Sequence, residues 1–203
     1  MTWMVVGLGN PGPRYAANRH NVGHMVLDEL ARRTGARLGQ ASGPGGQRPR
    51  AVSASVRVGT GPGGVPGPAA VLVKTTTYMN DSGGPVAQIA RYLHVPAETL
   101  VLVHDELDIG FGDVRVKGGG GEGGHNGLRD VSRALGTGDY LRVRVGIGRP
   151  PGRQDPADYV LADFTAAERR ELGWVVDRAA DAVEALIAGG LQSTQRIFHA
   201  PLE

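Results

Sequence analysis

The apolar run from Trp3 to Leu8 breaks abruptly at Gly9-Asn10-Pro11-Gly12, and this break constrains the fold most. The run reads as a buried strand. The cluster after it is a turn, because Gly supplies unusual φ/ψ and Pro fixes φ. A polar segment follows with Tyr15, Asn18, Arg19, His20 and Asn21. Only then does a spacing near 3.6 residues begin, at Val22, Met25, Val26, Leu30 and Ala31, which predicts a helix over Val22 to Thr34. The pattern recurs twice. Ala69 to Lys74 runs into Thr75-Thr-Thr-Tyr-Met-Asn-Asp-Ser-Gly83, and Thr99 to Val103 runs into His104-Asp105-Glu106-Leu107-Asp108. Polar groups at the carboxyl ends of buried strands are where α/β sheets build sites.

Further strands are expected at Ala51–Val58, Asp113–Lys117 and Tyr140–Gly148, and further helices after Ser82, over Leu128–Leu135, from Thr165 to Gly189 and over Leu191–Phe198. Asp81 or Ser82 is a candidate cap for the helix after Ser82. Thr165 with Glu168 has the spacing of a capping box. The order β-α-β-β-α-β-β-α-β-α predicts an α/β fold: one twisted, mixed and mostly parallel sheet with helices on both faces. The 203 residues suit a single domain over 1–203, with Gly/Pro-rich loops around 40–50 and 59–68.

Composition removes several chemistries. There is no cysteine, so neither disulfides nor thiolate catalysis is available. No run approaches the length of a membrane span. The first residues have no signal-peptide layout, and a cytoplasmic location is expected. Net charge is +2 with a pI of about 9.2, a mild lean toward polyanions. Lys74 and Lys117 are the only lysines in an arginine-rich chain, and both fall within polar motifs.

Gly7-x-Gly9-x-x-Gly12 matches the dinucleotide fingerprint in spacing, but Pro11 and Pro13 interrupt the helix start, and Asp28 and Glu29 fall inside a helical pattern rather than at a strand end. Asp105, next to a buried strand, is a candidate to orient an imidazole. His104 and Asp108 have no second cluster at metal-ligand spacing, so no metal is expected. Gly118 to Gly124 holds six glycines in seven residues and leads through His125-Asn126-Gly127 into a helix, an arrangement suited to close approach of a phosphate-bearing ligand. Arg142 and Arg144, two apart on a strand, offer a line of charge to phosphates.

Five motifs in sequence order resemble the bacterial peptidyl-tRNA hydrolase family. They are Gly7-Leu-Gly-Asn-Pro-Gly12 with Arg19-His20-Asn21, Thr77-Tyr-Met-Asn-x-Ser-Gly83, His104-Asp-Glu-Leu-Asp108, Gly118 through Leu128, and Arg144-Val-Gly-Ile-Gly148. The resemblance runs from Met4 to about Phe198. It implies a metal-independent enzyme, without cofactor, that hydrolyses the ester between the peptide and the 3′-terminal ribose and so recycles tRNA from abandoned translation. It implies His20 as the base that activates water, Asp105 as its orienting partner, and Asn10 as a donor to the peptide or the developing oxyanion. Asn80 and Asn126 would position peptide and water, and Tyr15 and Met79 would form an apolar and stacking wall. Lys117 and Arg144 would clamp tRNA phosphates, with Arg115 and Arg142 adding to that field. The partner is then peptidyl-tRNA, with no membrane, and the expected state is a monomer.

Two positions depart from the family pattern: Thr75 stands where Pro is usual after the lysine, and Glu122 where His or Ser is common. The rival readings are an RNA-binding module without hydrolysis and a dinucleotide-dependent enzyme. The presence of both His20 and Asp105 disfavours the first.

Overall fold

The computed structural model describes residues 2–200. Its strands are β1 (Trp3–Gly7), β2 (Gly39–Gln40), β3 (Ala51–Arg57), β4 (Ala69–Thr75), β5 (Leu100–Glu106), β6 (Val114–Gly118) and β7 (Leu141–Gly146). They form one sheet in the order β2-β3-β4-β1-β5-β7-β6. The central strands β4, β1, β5 and β7 are parallel. β2, β3 and β6 join antiparallel at the two sides. This is the mixed, mostly parallel sheet expected from the sequence.

Five α-helices accompany it among the described residues: α1 (Val22–Arg33), α2 (Gly83–Tyr92), α3 (Asn126–Leu135), α4 (Pro156–Val160) and α5 (Ala166–Phe198). Side chains alternate across a strand, so β1 feeds two cores. Val5 packs with Val26, Leu27 and Leu30 of α1 and Val175, Ala179 and Val183 of α5. Met4 and Val6 pack on the other face with Val86 and Ile89 of α2 and Leu128 and Val131 of α3. β1 and the body of β4 and β5 are covered on both faces and apolar there, which is why they appear in the sequence as unbroken runs. No helix among the described residues is long and apolar enough to cross a membrane.

The glycines after β1 serve packing. A Cβ at Gly7 would lie 2.3 Å from the Gly23 carbonyl oxygen, and one at Gly23 would lie 2.3 Å from that of Val103. The first turn of α1 therefore rests on the ends of β1 and β5. α1 starts well beyond Gly12, so its N-terminus does not meet the Gly7–Gly12 turn as a dinucleotide site requires.

Several local expectations need correction. β2 and α4 were not anticipated: β2 exists only through pairing with β3, and α4 opens on Asp155, whose carboxylate accepts from Ala157 N at 2.8 Å. Neither Asp81 nor Ser82 caps α2. Ser82 Oγ donates to the Met79 carbonyl, and the Asp130 carboxylate of α3 accepts from Gly83 N at 2.7 Å instead. The capping box forms as expected, with Glu168 N donating to Thr165 Oγ1 at 3.2 Å and Thr165 N to Glu168 Oε2 at 2.6 Å. The two closing helices also form where expected: the stretch Ala166–Phe198 is two helices that meet at Gly190, where φ is 74° and ψ 176°.

Candidate active site

His20 sits on a single 3-10 turn, Arg19–Asn21, that leads directly into α1. Arg19 anchors this turn. Its buried guanidinium donates to the carbonyls of Ala162 and Asp163 at 3.3 and 2.9 Å, pairs with Glu168 at 2.7 Å, and lies 4.1 Å from the centre of the Tyr159 ring. Asp105, near the end of β5, is buried. Its Oδ1 and Oδ2 lie 2.8 and 3.0 Å from His20 Nδ1. The sequence places these two far apart; the packing of α1 over β1 and β5 brings them together.

Asp105 Oδ1 also lies 3.0 Å from His125 Nε2. His125 is the N-cap of α3, and its Nδ1 accepts from Leu128 N at 3.3 Å. An Nδ1 that accepts is unprotonated, so Nε2 carries the hydrogen and donates to Asp105. The sequence reading missed this contact. It saw His125 only as the start of a helix with a phosphate-binding N-terminus.

Two imidazoles donating to one carboxylate set the electrostatics. Burial opposes the charge on Asp105, but His20 and His125 more than offset it and hold the carboxyl well below the usual range. Burial also opposes charging of His20; the charge and hydrogen bond of Asp105 outweigh it and raise the imidazole pKa. With Nδ1–H committed to Asp105, Nε2 is the basic nitrogen of His20. His104, beneath His125 with ring centres 4.9 Å apart, is driven down to about 3 by burial and the neighbouring His125, and stays neutral.

Asn10 is fixed by its neighbours. Asn21 Nδ2 donates to its carbonyl, and Asn21 Oδ1 accepts its N–H. Asn10 Oδ1 accepts from Met79 N at 2.8 Å, which leaves the Nδ2 amide of Asn10 as a donor. Met79 itself is buried and Asn80 next to it is exposed. Tyr15 meets exposed Tyr78 edge-on, ring centres 6.2 Å apart.

A cavity of about 420 Å³ opens at the carboxyl end of β5, lined by His20, Asp105, Glu122, His125, Asn126 and Val160 among others. Beyond it lies the basic edge of the sheet, where Arg115 pairs in register with Arg144, and Lys117 with Arg142. Lys117 Nζ rests over Gly120. Arg144 is not free: its guanidinium pairs with Glu106 at 2.9 Å. Arg142 does not join the exposed field. It is 2% exposed and donates to the carbonyls of Gly121 and Gly138 at 2.7 and 3.4 Å and to that of Gly120. The glycine-rich loop folds over this arginine, which strand alternation alone does not reveal.

The ligand atoms of His20, Asp105 and His125 lie within 4.8 Å of one another, a spacing open to a divalent cation. The tautomer argues against one. A metal on His125 Nε2 would move the proton to Nδ1, where it would face the Leu128 N–H donor-to-donor.

A family model described as "Peptidyl-tRNA hydrolase" matches residues 4–203. The peptidyl-tRNA hydrolase of Kineococcus radiotolerans is 58% identical over 199 residues, covering 98% of each chain. That of Frankia alni is 56% identical, covering 98% of this chain and 95% of its own. The crystal structure of peptidyl-tRNA hydrolase from Acinetobacter baumannii superposes with a TM-score of 0.82 at 32% identity, over 98% of this chain and 95% of that one. With sequence and fold matched along nearly its whole length, the chain belongs to the peptidyl-tRNA hydrolase family.

Proposed function

We propose that the chain hydrolyses the ester between the peptide and the 3′-terminal ribose of peptidyl-tRNA, returning tRNA from abandoned translation, with His20 as general base. The observation that carries this reading is the His20 Nδ1 to Asp105 contact of 2.8 Å, which commits one imidazole nitrogen and leaves Nε2 to take a proton from water. Asp105 fixes the tautomer and stabilises the imidazolium that forms. His125 holds Asp105 from the other side. Asn10 offers its Nδ2 to the ester carbonyl as negative charge develops there; a neutral amide donor gains in strength with that charge. Water as nucleophile needs no covalent intermediate.

Asn80 and Asn126 position the peptide and the water, and Tyr15 and Met79 wall the site. Lys117 and Arg144 bind tRNA phosphates, Arg144 exchanging Glu106 for the stronger anion. In this reading the unit of function is the monomer. Its place is the cytoplasm, where translation runs.

The test is release of N-acetyl-amino acid from N-acetyl-aminoacyl-tRNA in excess EDTA, with His20→Ala alongside. Wild-type turnover with a loss of about 10² to 10⁴ in the variant is expected. A variant that keeps most of its turnover removes His20 from the role of base. Tight tRNA binding without turnover in either protein would favour a binding module.

A further inference from the structure

On the β3 side of the sheet, a groove between α2 and the loop over residues 44–50 holds a cavity of about 520 Å³. Gly84, Gln88 and Arg91 line it from one face of α2, spaced i, i+4 and i+7. Arg48 and Arg50 line it from the loop. The loop is held in place. Thr76 N donates to the Arg50 carbonyl at 2.8 Å, Gln40 Nε2 donates to that of Pro49 at 2.7 Å, and Gln88 Nε2 donates to Gln47 Oε1. All three arginines are exposed. Among the described residues none of them pairs with a carboxylate, unlike Arg33, Arg144 and Arg149. No acidic residue is among the walls of this cavity. Three unpaired guanidinium groups around one cavity attract an anion, and the planar fork of each fits a carboxylate or a phosphate.

The order of strands decides which anion reaches it. Arg50 immediately precedes β3, and Ala51 pairs with Thr75 at the end of β4, so the groove opens at the same carboxyl end of the sheet as Asp105. Across that end the series runs β3-β4-β1-β5-β7-β6. The proposed phosphate clamp at β7 and β6 and the groove beside β3 therefore flank the ester from opposite sides. The tRNA ends at the ester bond, so the chain that continues past it toward β3 is the peptide. From β5 to β3 is three strand spacings. That is about 14 Å, which an extended chain covers in about four to five residues.

We propose that this groove is a distal peptide site, in which Arg48, Arg50 and Arg91 bind carboxylate side chains about four to five residues ahead of the esterified one. The inference rests on the hydrolase reading and adds to it a preference for acidic peptides. That preference depends on length. The cavity at His20 is lined by Asp105, Glu106, Asp108, Glu122 and Asp155 against the single arginine Arg149, so an acidic residue next to the ester gains nothing there.

The experiment compares kcat/KM for tRNA carrying N-acetyl-Xaa-Xaa-Ala-Ala-Ala-Ala, with Xaa as Glu, Gln or Lys, and for tRNA carrying N-acetyl-Xaa-Ala, with Xaa as Glu or Gln. The proteins are the wild type, the triple variant Arg48→Ala, Arg50→Ala, Arg91→Ala, and the same three positions changed to Lys. All three side chains are exposed, so the fold is retained. The wild type should prefer Glu to Gln by roughly fivefold in the long peptide, the discrimination that two or three exposed ion pairs supply. It should show no such preference in the short one. The alanine variant brings the long-peptide ratio close to one, and the lysine variant keeps most of it. A wild-type ratio near one in the long peptide, or the same ratio in the alanine variant, overturns the site. A rise in KM in the alanine variant that is equal for the Glu, Gln and Lys peptides also overturns it and assigns the groove to RNA phosphate. Absence of turnover on every substrate would count against the hydrolase reading itself.

Discussion

Asn21 holds both backbone polar groups of Asn10, donating from Nδ2 to the carbonyl and accepting the N–H at Oδ1, each at 2.9 Å. The residue after the proposed base thus fixes Asn10, whose amide we propose meets the ester carbonyl. Asn21→Ala leaves two buried backbone groups unpaired, a cost of about 2–4 kcal/mol. It also frees the Asn10 amide, so kcat should fall by roughly 10-fold or more, since misplacement by an ångström costs that much or more. Urea unfolding and single-turnover rates check both. Unchanged kcat in a destabilised Asn21→Ala would separate the clamp from catalysis.

The pH dependence follows from the His20–Asp105 pair. As the proposed base His20 must be unprotonated, and Asp105 raises its pKa, so activity should climb with pH through an apparent pKa above 6.5. The same shift contributes stability that is complete below pH 6.5 and is lost as pH rises through the folded value. Asp105→Asn removes what raises the pKa and leaves the burial that lowers it. The acid limb of the rate profile should then move to lower pH while kcat falls by roughly 10² to 10⁴. A limb that stays in place would show that another group titrates.

His125 separates a structural from a positioning role. His125→Asn keeps a good N-cap for α3 but is too short to reach Asp105. Stability should change little and kcat should fall about tenfold, as expected when a partner that orients a catalytic group is lost. A fall in stability without a fall in kcat would leave His125 as a cap alone.

The sequence made some of this legible and hid the rest, for physical reasons. Strand ends at Leu8, Lys74 and Val103 were readable because β1 and the body of β4 and β5 are apolar on both faces. His20 and Asp105 were readable from their motifs, and packing delivered the contact. His125 was obscured because a histidine before a helix, after six glycines, also suits phosphate binding. Arg142 was misread because strand alternation puts it on the face of Arg144; only the glycine loop, folded over it, makes it buried. α4 had a readable start in Asp155-Pro156 but is only five residues long.

Acid should unfold the protein through two histidines outside the proposed chemistry. His24 and His104 are each held near 3, against 6.5 when unfolded. Between those values the unfolded chain binds protons the folded one refuses, so stability falls as pH falls, by about 1.4 kcal/mol per pH unit for each imidazole. His20 does not offset this, because its own contribution is already complete below 6.5. Urea titrations from about pH 7 to about pH 4.5 should show a slope approaching two protons. His24→Gln should roughly halve it, and an unaltered slope would place the uptake elsewhere.

Arg142 and Arg144 should fail differently although they are two residues apart. Arg142 fastens the glycine loop through carbonyls of Gly120, Gly121 and Gly138. Lysine keeps the charge but not the planar fork that reaches several acceptors. Arg142→Lys should therefore loosen residues 118–124, speeding amide exchange there and lowering stability by about 1–3 kcal/mol, because carbonyls lose their donors. Arg144 has an exposed side, paired with Glu106. Arg144→Ala should leave exchange in the loop as it is and raise KM for full-length peptidyl-tRNA more than for a minimal aminoacyl-nucleotide, which lacks the phosphates. Lys117→Ala should behave as Arg144→Ala does, with a shallower salt dependence of tRNA binding in both. Equal effects on both substrates would remove these side chains from the phosphate clamp, whereas loop exchange that stays slow in Arg142→Lys would show that the loop holds without its arginine.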